Sequence, residues 1–173
     1  DSLEVNNSAT LVLTGNGSSI QVDSVLRLTS GTIDNSAGSA NLLLSNNAMI
    51  SRATGQITNS PSFAGQIDLR YTSSLTSVTT GAELPIGTTT LRHLAINSPG
   101  QIVTLGADVT VNGQLTLMDG LLSTGAFRTN LAPSATIVED TDNVVQGRVR
   151  TTRNVSTGSA QSFGGVGLQV TAA

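Results

Sequence analysis

The stretch VTVNGQLTLMDGLLSTG, residues 109–125, alternates apolar with small polar residues and is broken by Gly113, Gly120 and Gly125. Its one charge is Asp119. An earlier stretch, VDSVLRLTSGTIDN at 22–35, has the same pattern. Aligning Val22 with Val111 puts Leu26 on Leu115, Leu28 on Leu117, Gly31 on Gly120 and Ile33 on Leu122. Apolar–polar alternation marks strands with one buried face, so the same strand pattern is written twice.

The repetition extends outward from these two stretches. LEVNNSATLVLTG, from Leu3, pairs with LAINSPGQIVTLG, from Leu94. Asn41-Leu42 pairs with Asn130-Leu131, Ala48-Met49-Ile50 with Ala135-Thr136-Ile137, and Gly55-Gln56-Ile57 with Gly147-Arg148-Val149. Two modules follow, 1–90 and 91–173, with the seam near 88–92. Within each, short apolar runs are separated by Asn-Gly-Ser, Ser-Gly-Thr and Asp-Gly turn formers. No helical stripe exceeds a turn, and the abundant Ser, Thr, Val and Gly are poor helix residues. Two or three such strands make a coil of about 20 residues, the spacing of a β-solenoid. The expected fold is therefore all-β, a β-helix-like stack of short strands. Tandem β-sandwich modules are the alternative. Short strands and few aromatics favour the solenoid; the long period between copies favours the sandwich.

Composition limits the chemistry. The net charge is −3 and every basic residue is Arg. Such a chain lacks the electrostatic grip that nucleic acid or an anionic membrane requires. No apolar run approaches the roughly 20 residues of a membrane-spanning helix, so no membrane insertion is expected. Without Cys there are no disulfides, thiol catalysts or thiolate metal sites. One Tyr, three Phe and no Trp leave the core to Leu, Val, Ile and Ala in thin layers.

Candidate sites are few. His93 is the sole His and sits on an alternating run, as an ordinary strand or turn residue does. Asp68-Leu69-Arg70-Tyr71 reads as a strand with Asp68 and Arg70 on its wet face. A sugar-cleaving cleft would need more aromatics and converging carboxylates. Glu139, Asp140 and Asp142 form the densest acidic group. Oxygen ligands at such spacing make a weak Ca²⁺ candidate, although no EF-hand pattern is present and the first copy has Arg52-Ala53-Thr54 there. Gly164-Gly165-Val166-Gly167 reads as a turn. No catalytic residue and no other cofactor is expected.

The run from Tyr71 to Gly125 resembles repeat segments of large secreted bacterial surface proteins, adhesin-like chains of the type IX-exported kind. The likeness rests on Tyr71, on Thr80-Gly81-Ala82-Glu83-Leu84-Pro85, on the LRHLAIN run at 91–97, and on 105–120. The segments 147–151 and 162–168 are similar to those that close such modules. The resemblance implies export, β-rich repeats and an architectural or adhesive role, and it carries no catalytic residues.

The expected function is thus a non-enzymatic structural subunit of an extracellular fibre or surface layer. A spacer in an adhesin stalk is the rival, and a carbohydrate-active β-helix is the enzymatic alternative. The second copy stops short of the first, and 167–173 is an alternating strand without charge. An uncovered strand edge invites pairing. Leu3 and Val5 at one end, with Leu168 and Val170 at the other, are therefore the expected contacts between copies of the chain, by head-to-tail strand addition.

Overall fold

In a computed structural model, which describes residues 1–15, 17, 19–36, 41–155 and 160–171, strands coil into a β-solenoid of about six turns. No helix occurs among the described residues. The first rung is β1 (Leu3–Val12) and β2 (Ser19–Val22); the second is β3 (Val25–Asp34) and β4 (Asn41–Leu44). The third is β5 (Met49–Arg52), β6 (Gln56–Ile57) and β7 (Ser62–Phe63). The fourth has β8 (Ile67–Tyr71) and β9 (Val78–Thr79). The fifth is β10 (Leu91–Thr104) and β11 (Val109–Val111), and the sixth β12 (Gln114–Ser123) and β13 (Thr129–Leu131). The last layer holds β14 (Thr136–Val138), β15 (Val145–Gln146) and β16 (Val149–Thr151). A hairpin of β17 (Gln161–Ser162) and β18 (Gln169–Val170) follows.

One parallel sheet runs the length of the stack in the order β1-β3-β5-β8-β10-β12-β14. It crosses the sequence seam without a break, because β8 pairs with β10. All its pairings are parallel, which is the geometry of a coil and not of a sandwich. Only β17 and β18 pair antiparallel among the described strands.

Register turns the alternation into ladders. Leu3, Leu26, Ile50, Leu69, Leu94, Leu115 and Ile137 are successive partners along the first face. From Leu26 onward all are buried. Leu26, Leu28, Leu115 and Leu117 point inward and stack, as the sequence pattern requires. Leu28 and Leu117 lie on the second ladder, Val5, Leu28, Arg52, Tyr71, Ile96, Leu117.

The long repeat is resolved by the same register. Leu26 and Leu115 occupy the second and sixth rungs, and Leu3 and Leu94 the first and fifth. One copy is therefore four rungs, so a period that suggested a sandwich is a multiple of the coil. The match of Gly55-Gln56-Ile57 with Gly147-Arg148-Val149 does not survive. Ile57 pairs with Ile33 behind the first corner, where the second copy has Val145 against Leu122. Val149 pairs with Thr129 on the third face instead. The extra residues of the acidic turn displace the alignment.

Gly31 and Gly120 show why the repeat keeps glycine at the first corner. Their φ angles are +81° and +90°, in the left-handed region. A long corner in the rung before arches over each of them. A methyl group on Gly31 would lie 2.6 Å from the Ala9 carbonyl oxygen and closer still to that of Asn7. On Gly120 it would lie 2.8 Å from the carbonyl oxygen of Gln101 and closer to that of Ser98.

The third face is not continuous. It consists of β2-β4-β7 and β11-β13-β16, and the fourth rung contributes no strand between them. There the chain forms turns from Gly81 onward, with Glu83, Leu84 and Pro85 buried.

Inward packing predicts a sharp contrast between neighbours. Leu117→Ala should cost about 2–5 kcal/mol through lost burial and an unfilled cavity. Met118→Ala, at a side chain 54% exposed, should change stability by no more than about 0.5 kcal/mol. Denaturant melts of the two variants check this.

Candidate functional site

The acidic group at 139–142 closes a turn between β14 and β15. Asp140 Oδ1 accepts the backbone N–H groups of Asp142 and Asn143 at 2.9 and 2.8 Å. The Asn143 amide donates to both Asp140 oxygens. These bonds, led by the Asn143 side chain, lower the Asp140 pKa from its ordinary value. Glu139 accepts the N–H of Val145 at 2.6 Å, and Asn143 Oδ1 accepts that of Gly120 at 2.7 Å. The group thus fastens its turn to the rung before. Among the described residues no three His, Cys, Asp or Glu side chains are grouped to hold a metal ion.

His93 is exposed on β10, and its Nδ1 accepts the N–H of Gln114 at 3.0 Å. Its ladder neighbour Asp68 is engaged by Arg92, with Nε and Nη2 at 2.9 and 2.7 Å from the two oxygens. Asp68 and Arg70 face outward and Leu69 and Tyr71 inward, as alternation requires. Gly164, Gly165 and Gly167 make the turn of the β17–β18 hairpin, all with positive φ. That hairpin meets the last layer, where the Ile137 N–H donates to the Gly164 carbonyl at 2.6 Å, and Arg153, ahead of the hairpin, donates to the Ala135 carbonyl.

The four expected contact residues divide between the two ends. Val5 is buried and Leu3 half-buried on β1. Leu168 is 52% exposed and Val170 half-buried in the hairpin. At the first rung, β1 pairs only with β3 and β2 only with β4 among the described strands. Val5, Leu13 and Val22 are buried there all the same, but other apolar side chains of the rung are uncovered. Leu11 and Ile20 are 41% and 40% exposed, whereas their register partners Ile33 and Leu42 are fully buried. The first rung is a core layer with one side open.

Sequence reasoning missed the most polar part of the interior. Arg52 stands on the second inward ladder between Leu28 and Tyr71. Its Nε donates to the Gly55 carbonyl at 2.8 Å, and Nη1 to the Thr79 carbonyl at 3.0 Å and to Glu83. Glu83 Oε1 also accepts the Tyr71 hydroxyl at 2.8 Å and the Gly81 N–H at 2.9 Å. The Arg52 guanidinium lies 6.0 Å from the centre of the Tyr71 ring. The ion pair is buried at both partners. A signal did exist: Arg52 shares the parity of Ile50, so the strand that buries one must turn the other inward. Glu83 lies in a turn without periodicity and gave none. The cluster pins the 81–84 turn into the gap in the third face, and its groups satisfy one another.

Comparison with known protein families, curated proteins and solved structures finds no match. The geometry alone therefore describes the molecule: a β-solenoid with a buried salt bridge between its third and fourth rungs.

Two predictions follow from the cluster. Breaking a buried pair from one side costs about 3–5 kcal/mol, so Arg52→Met should destabilise by that amount. Adding Glu83→Leu to it should recover part of the loss, as a double-mutant cycle would show. The second concerns alkali. Burial, then the negative charge of Glu83, pushes the Tyr71 pKa well above its ordinary value of 10.0. Below that value both folded and unfolded chains keep the phenol proton. Above it only the unfolded chain loses it, so stability must fall by about 1.4 kcal/mol per pH unit. With one Tyr, no Cys and every basic residue Arg, no other side chain titrates in this window. Unfolding titrations from about pH 9 to about pH 11 should show this slope, and Tyr71→Phe should abolish it.

Proposed function

We propose that the chain is a structural rod of an extracellular surface assembly, joined to its neighbours without covalent bonds by β-strand addition at the first rung. The observation that carries this reading is the open first rung. Leu11 and Ile20 lie in inward register yet face water, beside unpaired edges of β1 and β2. One more strand layer there would bury them and pair the edge, which is what strand addition provides. The donor is the segment around β18, where Leu168 is exposed and the pairing is two residues long. Leu3 and Val5 receive it, and the contact propagates head to tail because donor and acceptor surfaces differ. The resemblance to bacterial surface repeats supports the extracellular setting.

The hairpin resting on the last layer through Ile137 favours a second reading, in which the chain is a spacer in a stalk and the next rung belongs to the same polypeptide. Electron microscopy of the purified chain separates the two: filaments for the first, single rods for the second. Deleting 168–173 should abolish filaments. Persistence of filaments with an unchanged subunit repeat would overturn the proposed joint. Boiled filaments should yield only a species of 17.6 kDa by intact mass. A covalent dimer would contradict non-covalent joining.

A further inference from the structure

We propose that the outer groove of the first face, where Arg27 and Arg70 flank Ser51 in register, binds a hydroxylated polyanion: an acidic glycan carrying carboxylate or sulfate groups.

Outward positions form ladders just as inward ones do. Along this face the partners are Glu4, Arg27, Ser51, Arg70, Ala95 and Thr116. Strands stack about 4.8 Å apart, so the backbones of Arg27 and Arg70 stand roughly 10 Å apart along the rod. Between and beside them opens a groove of about 670 Å³, which the 72–75 segment also lines. Its lining is rich in hydroxyls, among them Thr29, Ser51, Thr54 and Thr72. Leu75, 90% exposed, completes the wall.

The two guanidiniums are unspent. Arg52, Arg92 and Arg128 each hold a carboxylate. Neither Arg27 nor Arg70 is hydrogen-bonded or ion-paired among the described residues. The Arg70 Nε is shielded from water and has no acceptor. Such a donor carries a standing desolvation cost. A rotation presenting Nε and an Nη to the groove offers the planar, bidentate edge that fits carboxylate or sulfate. Glu4 is the one carboxylate in the lining, and it accepts the Thr29 hydroxyl at 3.0 Å. It sits at the first-rung end, so it repels an anion there and favours the span from Arg27 to Arg70.

The rest of the lining selects among anions. No aromatic ring is present to stack a base or a neutral sugar. Affinity must then rest on the two charges, with hydroxyls meeting hydroxyls between them. A polymer bearing both groups satisfies the groove; a lone inorganic ion satisfies one guanidinium at a time.

The test is retention and titration calorimetry on the intact chain with polygalacturonate, dextran sulfate, neutral dextran and inorganic sulfate. One or both charged polymers should bind, with affinity falling as salt rises, and which of them binds names the anionic group. Neutral dextran should not. Arg27→Ala and Arg70→Ala should each weaken binding about tenfold, the loss of a charge-assisted contact. Arg150→Ala removes the same charge from the third face, at another Arg without a partner among the described residues, and should leave binding unchanged. Circular dichroism confirms that each variant is folded. The proposal falls if neither charged polymer binds, if inorganic sulfate competes at equal charge concentration, or if Arg150→Ala weakens binding as much as the groove variants do.

Discussion

Parallel strands in register put like position over like position about 4.8 Å apart, and every other feature of this molecule answers to that constraint. Each inward side chain must fit the one above and the one below. Branched aliphatic residues do so at every rung, and the ladder from Leu3 to Ile137 is made of Leu and Ile alone. A large ring has to be accommodated by its neighbours, and the chain admits only Tyr71 fully. The second ladder is where the rule is strained. Arg52 takes an aliphatic position, and a bare guanidinium there would be costly. It is tolerated because the next rung offers Glu83, the Thr79 carbonyl and the ring of Tyr71 together. The missing strand of the third face and the misplaced charge of the first are one arrangement, since the turn that fills the gap brings the carboxylate.

Corners obey the same constraint from the backbone side. A corner of one rung must nest in that of the next. In the first and fifth rungs it is long, and in the second and sixth it is short and turns through Gly31 or Gly120. The long corner's carbonyl oxygens occupy the volume a side chain would need. Glycine is therefore required by the neighbour as much as by its own φ, and this couples two rungs in sequence. The same pair of rungs recurs once in each copy, at Gly31 and at Gly120.

Much of this was legible. Leu26, Leu28, Leu115 and Leu117 could be assigned inward because period-2 alternation has only two phases and water decides between them. Gly31 and Gly120 could be matched because the spacing around them is identical. What stayed hidden depended on contacts across the stack. Arg52 shares the parity of Ile50, but the partners that accept its charge become visible only through register with Leu28 and Tyr71 and the turn beyond. Glu83 lies in an aperiodic turn, and nothing local distinguishes a buried carboxylate from a wet one. In the acidic turn, Asp140 and Glu139 accept the N–H groups of Asp142, Asn143 and Val145, a use that a list of oxygen ligands cannot reveal. The outward pair Arg27 and Arg70 was equally invisible, because the two lie far apart in sequence and become neighbours only through two steps of coil.

A stack of this kind is stabilised by rung-to-rung interfaces, so an end rung has one where an inner rung has two. The first rung shows the deficit in Leu11 and Ile20, which hold core positions and remain wet. In the isolated chain, opening should therefore begin there and run inward. It meets its strongest obstacle where Arg52 in the third rung binds Glu83 and Thr79 in the fourth, because separating those rungs strands a charge in the core. Rungs before that point are held by aliphatic contacts, backbone pairing and polar contacts such as Thr29 with Glu4 and Ser45 with Asp23, with neither Cys nor Lys available for a disulfide or a lysine cross-link. On the reading proposed above, a strand added at the first rung turns the weakest layer into an interior one. The interaction that joins two rods and the interaction that keeps each rod from fraying are then the same, and assembly is itself the stabilising event.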